Sequence, residues 1–96
     1  MPQVIFAPAA LNDLERLREF LRPKNPAAAK RAASVITKAI QLLSPHPQVG
    51  RPAEGMNIEY RELPIDFSDS GYIALYRYEG DFVIILALRH RKEAGY

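Results

Sequence analysis

Ninety-six residues leave room for one domain and not for a second. Hydrophobic residues make up 48% and charged residues 25%, the balance of a folded chain; the absence of cysteine excludes disulfides and thiolate chemistry, and with only two histidines a zinc site of the usual kind is not expected. The net charge of +2 and pI of about 9.1 do not by themselves argue for nucleic acid.

No charged-then-apolar leader opens the chain, so secretion by a signal peptide is not expected. Gln3 to Phe6 alternate weakly and predict a short first strand. Pro8 suits the first position of a helix, where no N–H donor is needed. Leu11, Leu14, Leu17 and Leu21 then recur at spacings of three and four, with Asp13, Glu15, Arg16, Arg18 and Glu19 largely off that stripe. The helix they predict ends at about Leu21, before Arg22-Pro23-Lys24.

Asn25-Pro26 restarts a helix, Asn as N-cap and Pro pre-set for the first turn. The second helix is predicted from Pro26 to Leu43, with Ala29, Ala32, Ala33, Ile36, Ala39, Ile40 and Leu43 on its apolar face. So short a break between two amphipathic helices implies an antiparallel hairpin. Ser44-Pro45-His46-Pro47 closes it. A loop without structure is then expected as far as Asn57, and loops of that length are often functional.

Three strands follow: Ile58 to Leu63, Gly71 to Tyr78, and Phe82 to Leu88. In the second, Tyr72, Ala74, Tyr76 and Tyr78 share one face, a pattern of half-buried packing more than of base stacking, and Ile73, Leu75 and Arg77 share the other. The third is the longest apolar run, seven residues, far too short to span a membrane and apolar enough to be central. Glu79-Gly80-Asp81 joins the last two as a hairpin. The order β-α-α-β-β-β predicts an α+β fold, with an αα-hairpin on one face of a small, mostly antiparallel sheet. The other face is expected to be open, a possible working surface.

Charge is unevenly placed. Residues 1–48 carry seven Lys/Arg against three Asp/Glu, and residues 49–96 carry six against eight. The second half turns basic again at Arg89, His90, Arg91 and Lys92. No phosphate-cradling glycine loop, nucleophile elbow or zinc-protease motif occurs. What remains is a cationic and aromatic set near the sheet: Arg51, Arg61, Arg77, Arg89, His90, Arg91, Lys92 and Tyr96. Arginine can hold phosphate and stabilise developing negative charge, and histidine can move protons near neutrality. The same groups can equally be solvated edge charges, partners of Glu59, Glu62 and Glu93, or a surface for an acidic protein. Tyr96 by itself reads as a frayed end.

Taken together, Ala10, Asp13-Leu14, Asn25-Pro26, Ile36, Ile40, Leu43, Pro47, Gly50-Arg51-Pro52, Arg61-Glu62-Leu63, Gly71-Tyr72, Tyr76-Arg77, Ile84-Ile85-Leu86 and Arg89-His90-Arg91-Lys92 form a co-linear set. It resembles the RelE/ParE superfamily of toxins from bacterial type II toxin–antitoxin systems, over nearly the whole chain. The resemblance implies a cytoplasmic toxin without cofactor or metal, held by a cognate antitoxin in a hetero-oligomer. A chain that buries only about 60–65% of its unfolded surface is marginal alone and suits such a partner.

The superfamily has two mechanisms. RelE-like members cut mRNA in the ribosomal A site, and the residues matching such a catalytic set are Arg61, Arg77, His90 and Tyr96. ParE-like members poison DNA gyrase, with no established catalytic residues. RelE-like nucleases place an arginine after the Tyr or His that opens the hairpin strand; here that position, after Tyr72, is Ile73. Their lysines ahead of the sheet find only Arg51 in the stretch from Arg51 to Ile58. The Gly50-Arg51-Pro52 and Arg61-Glu62-Leu63 pair is typical of ParE-like members. The resemblance therefore favours a non-enzymatic gyrase inhibitor, with a ribosome-dependent endoribonuclease as the alternative. Arg51, Arg89, His90, Arg91 and Lys92 are the expected partner-binding residues.

Overall fold

The computed structural model describes residues 1–93 and 96. Strand β1 (Gln3–Phe6) is followed by helices α1 (Pro8–Leu21) and α2 (Pro26–Gln41). Strands β2 (Arg51–Pro52), β3 (Tyr60–Phe67), β4 (Ser70–Glu79) and β5 (Phe82–His90) complete the chain. The sheet order is β1-β5-β4-β3-β2; β1 runs parallel to β5 and every other pair is antiparallel. This is the α+β fold that the pattern of elements predicts, with one additional strand.

Both helices start where proline permits. Pro8 and Pro26 occupy first-turn positions, and the Asn25 side chain caps α2 by accepting from the Ala28 N–H at 3.1 Å. The helical stripes meet the sheet in one core, where Ala10, Leu17, Ala32, Ile36, Ile40 and Leu43 pack with Ile65, Tyr72, Ala74, Tyr76, Val83, Ile85 and Leu88. Each large aliphatic side chain buried there contributes about 1.5–3 kcal/mol. Regular helix ends at Gln41, two residues before the expected Leu43. Leu43 is nonetheless fully buried, because the chain turns over it.

Three expectations about the sheet need correction. First, β3 lies at Tyr60–Phe67, not Ile58 to Leu63, and Ile58 is 84% exposed. The expected strand stops one residue before Pro64, yet that proline is tolerated inside β3. Tyr60 and Arg77 form a non-hydrogen-bonded pair, since the Tyr78 N–H donates to the Glu59 carbonyl. Alternation puts Pro64, opposite Ile73, in the same class. Its nitrogen therefore faces away from β4, toward a side where β2 pairs only with Arg61 and Glu62.

Second, the central strand is β4; β5 is interior too, but one place over, between β4 and the edge strand β1. Strand β4 is buried on both faces over Tyr72 to Tyr76, which its alternation of tyrosine with aliphatic residues conceals. Third, the face away from the helices is therefore not open at its centre. Ile73 and Leu75 lie there, at 4% and 8% exposure.

The loop after α2 is also shorter than expected, because Arg51–Pro52 pairs with Glu62 and Arg61 as β2. Gly71, the second residue of β4, has φ of +154°, and a Cβ there would lie 2.2 Å from the Ile65 carbonyl oxygen, so only glycine lets the two strands close at that end. No helix among the described residues is long and apolar enough to cross a membrane.

Candidate functional site

Register decides which charged groups can act together. Arg51, Glu62 and Leu75 are directly paired across β2, β3 and β4, and so are Pro64, Ile73 and Arg89 across β3, β4 and β5. Directly opposed residues share a face. Arg51, Glu62, Arg77 and Arg89 therefore lie on the face away from the helices, with Tyr60, which pairs with Arg77. Arg61 pairs with Tyr76 and His90 with Tyr72, and both tyrosines are in the helix-side core. Of the four residues matching a nuclease set, Arg77 and Tyr96 stand on one face, and Arg61 and His90 on the other.

On the outer face, Glu62 is the hub. Its side chain is only 16% exposed and takes two donors: Arg51 Nε at 3.2 Å and the Tyr96 hydroxyl at 2.6 Å. The Tyr96 ring in turn lies 5.0 Å from the Arg89 guanidinium. Burial first, and then the Glu62 carboxylate, push the Tyr96 hydroxyl up to about 12, against an opposing pull from Arg89. Tyr96 is still 56% exposed, but its contacts with Glu62 and Arg89 anchor it across the sheet, so it is not a frayed end. Arg89 also donates to the Glu93 carbonyl at 2.8 Å. Arg77 is paired with Glu79 and stands 5.9 Å from the Tyr60 ring. The Nε atoms of Arg77 and Arg89 are buried and find no partner among the described residues.

On the helix side, Arg61 serves the loop that precedes β2. It donates to the Gly50 carbonyl at 2.7 Å and to the Gln48 carbonyl at 3.3 Å. Tyr76 holds the same loop: its hydroxyl accepts from the Gly50 N–H at 3.0 Å and donates to the Pro47 carbonyl at 2.7 Å. Burial raises the Tyr76 pKa, partly offset by the Gly50 amide and Arg61. A Cβ on Gly50 would lie 2.6 Å from that hydroxyl, so the approach requires glycine.

His90 is held in a structural setting. Its ring meets Tyr72 edge-on at 5.5 Å between centroids, its Nδ1 accepts from the Lys92 N–H at 3.1 Å, and its Nε2 is 3.4 Å from the Ser70 hydroxyl. The His90 backbone N–H donates to Glu93, which also takes Arg16 of α1 at 3.0 Å. The His90 amide, with Arg16, holds the Glu93 carboxyl below its ordinary value despite partial burial. Nearby, Asp13 of α1 accepts from the Leu88 N–H at 2.9 Å, just beyond a bulge in the β4–β5 pairing. Arg91 reaches Asp66 at 3.0 Å.

The cations of the outer face are thus committed to internal partners, and Arg61 and His90 are committed elsewhere. Among the described residues no group of three His, Asp or Glu side chains is placed to hold a metal. The arrangement offers an ordered, charged surface without a converged acid–base pair. Sequence reasoning gave Glu62 and Glu93 only the role of neutralisers. It missed Tyr76 as a loop anchor and Asp13 as a strand cap, since both join positions far apart in the chain.

Known proteins share this fold and much of this sequence. Residues 4–95 match the family model of the ParE toxin of the type II toxin–antitoxin system parDE. Toxin RelE3 of Caulobacter vibrioides is 37% identical over 93 residues, covering 97% of this chain and 98% of its own. Among solved structures, the chromosomal ParDE toxin–antitoxin system from P. aeruginosa superposes with a TM-score of 0.80 at 21% identity, covering 96% of this chain and 98% of that one. The RelBE2 toxin–antitoxin complex from Mycobacterium tuberculosis gives a TM-score of 0.62 at 27% identity, covering 95% and 100%. The chain belongs to the ParE toxin family, within the RelE/ParE superfamily of type II toxin–antitoxin toxins.

Proposed function

We propose that this toxin acts in the cytoplasm by binding and inhibiting DNA gyrase, and that a cognate antitoxin neutralises it in a hetero-oligomer. The observation that carries the gyrase reading is the division of the nuclease-like set between two sheet faces, Arg77 and Tyr96 on one, Arg61 and His90 on the other. A phosphodiester undergoing cleavage needs its proton donor, base and charge stabilisers around one atom. Ile73 supports the same reading: where the nucleases carry arginine, this chain has an apolar residue buried between Pro64 and Arg89. The ParE family model adds weight to the gyrase reading, and the toxin–antitoxin setting of the structural relatives supports the antitoxin partner.

Arg51, Arg89, His90, Arg91 and Lys92 are the proposed antitoxin-facing group. Arg51, Arg91 and Lys92 are exposed, and Arg89 and His90 order the segment behind them. Charge reversal at Arg91 and Lys92 is expected to weaken antitoxin binding, and unaltered affinity would refute the assignment.

A supercoiling assay with purified gyrase tests the function. Inhibition, or accumulation of cleaved DNA, is expected; unaffected supercoiling across a wide toxin range contradicts it. The alternative is ribosome-dependent mRNA cleavage, favoured by the relative named RelE3. It requires codon-positioned cuts in translated mRNA that His90→Ala abolishes.

A further inference from the structure

Helix α2 carries three cations, Lys30, Arg31 and Lys38, that the gyrase and antitoxin readings leave unused, and it lies in an acid-free stretch of the chain. Between Phe20 and Ala53 there are six Lys/Arg and no Asp or Glu; the remaining residues carry seven Lys/Arg against eleven Asp/Glu. The two helices differ sharply in how they treat their cations. On α1, Arg16 pairs with Asp13 and Glu93, Arg18 with Glu15, and Arg22 with Glu15 and Glu19. On α2, Lys30, Arg31 and Lys38 enter no ion pair among the described residues, and the helix contains no acid to supply one.

These three cations are exposed and fall on one side of the helix. At 3.6 residues per turn they lie within about 100° of arc, with Ser34 between them, and Lys30 and Lys38 are about 12 Å apart along the axis. The opposite side, with Ala29, Ala32, Ile36 and Ile40, is buried in the core. The basic side is therefore fixed outward by packing. No large exposed hydrophobic residue lies within α2 itself, and the exposed Leu42 only borders the row, at the C-cap one turn beyond Lys38. A protein interface of useful affinity is built on buried aromatic or aliphatic anchors. A row of unpaired cations on a smooth helix instead matches a nucleic-acid backbone, which is bound through charge without base readout.

We propose that the exposed face of α2 docks the phosphate backbone of duplex DNA, through Lys30, Arg31 and Lys38, without sequence preference. The choice of DNA over RNA rests on the gyrase reading, because a gyrase inhibitor works beside a bound duplex. Three neutralised phosphates release their counterions, so affinity falls with salt at a slope of about −2.7 in log–log form, or about 40-fold between 50 and 200 mM.

The test is fluorescence anisotropy of the full chain with a labelled 30-base-pair duplex of mixed sequence, titrated at several salt concentrations without gyrase. Wild type is expected to show that slope. K30Q/R31Q/K38Q is expected to lose it, and K38Q alone to lower it by about one. R18Q/R22Q, whose cations already have acidic partners, is expected to keep it. Circular dichroism checks that each variant is folded. No duplex binding at 50 mM salt overturns the proposal, as does an unchanged slope in the triple variant or an equal loss in R18Q/R22Q. Tighter binding of an RNA hairpin or of polyglutamate than of the duplex overturns it as well. Loss of gyrase inhibition with α2-dependent duplex binding intact refutes the gyrase reading alone; the reverse result refutes this proposal alone.

Discussion

The Tyr96 hydroxyl donates to Glu62 at 2.6 Å and so ties the last residue to the third strand, across the sheet face away from the helices. The same carboxylate holds Arg51, and the same ring lies against Arg89, so one tyrosine links β2, β3 and β5. Tyr96→Phe keeps the ring and removes the hydroxyl. A loss of about 1.5 kcal/mol in a urea melt is expected, the low end for a bond to a charged acceptor at a partly exposed site. An unchanged midpoint would show that the clasp contributes nothing.

The same bond predicts a pH dependence. The folded Tyr96 hydroxyl stands at about 12, above its ordinary 10.0, so the folded state keeps a proton that the unfolded chain gives up. Its stabilisation is complete below pH 10 and is lost as pH rises toward 12. Wild type and Tyr96→Phe are therefore expected to converge in stability over that range. A constant difference from pH 9 to pH 12 contradicts this.

Glu93 acts at the other end of the scale. Its carboxyl is held below 4.5 by the His90 amide and Arg16, so its contribution is present above that value and lost as pH falls through the lowered folded value. Glu93→Gln is expected to destabilise the protein at pH 7 and to matter progressively less as pH falls below 4.5. Denaturant melts of both proteins across that range measure it. An equal loss at every pH rules out the charge as the cause.

Tyr76 and Gly50 form the buried anchor of the loop before β2. Tyr76→Phe leaves the Pro47 carbonyl and the Gly50 N–H without that partner, at an expected cost of about 2–3 kcal/mol. Gly50→Ala drives a methyl group into the Tyr76 hydroxyl and the Glu62 carbonyl oxygen, and about 1–3 kcal/mol is expected from the overpacking. Limited proteolysis of the 47–57 segment is expected to accelerate in both. Wild-type resistance in either variant shows that the loop is held by something else.

Much of this fold is legible in the chain because its signals are local. The Asn25-Pro26 start, the alanine and isoleucine stripe of α2, and the short first strand all appear where periodicity and capping place them. The misplaced features depend on partners distant in sequence. The expected strand stops at Leu63, short of Pro64, whose pairing with Ile73 turns its nitrogen away from β4 and lets the strand run on. Arg51–Pro52 reads as loop until Glu62 and Arg61 supply the opposite strand. The site was less legible than the fold for a related reason. Composition identifies Arg61, Arg77, His90 and Tyr96 as chemically capable, but only register assigns them to faces, and a shift of one residue reverses that assignment.

The central claim is that this toxin inhibits gyrase without a nuclease centre. Gyrase supercoiling with wild-type toxin and with His90→Ala, beside a translation reaction probed for mRNA cuts, tests it most directly. The account predicts that both proteins inhibit supercoiling and that the mRNA stays intact. Undisturbed supercoiling together with codon-positioned cuts that disappear in His90→Ala would contradict it.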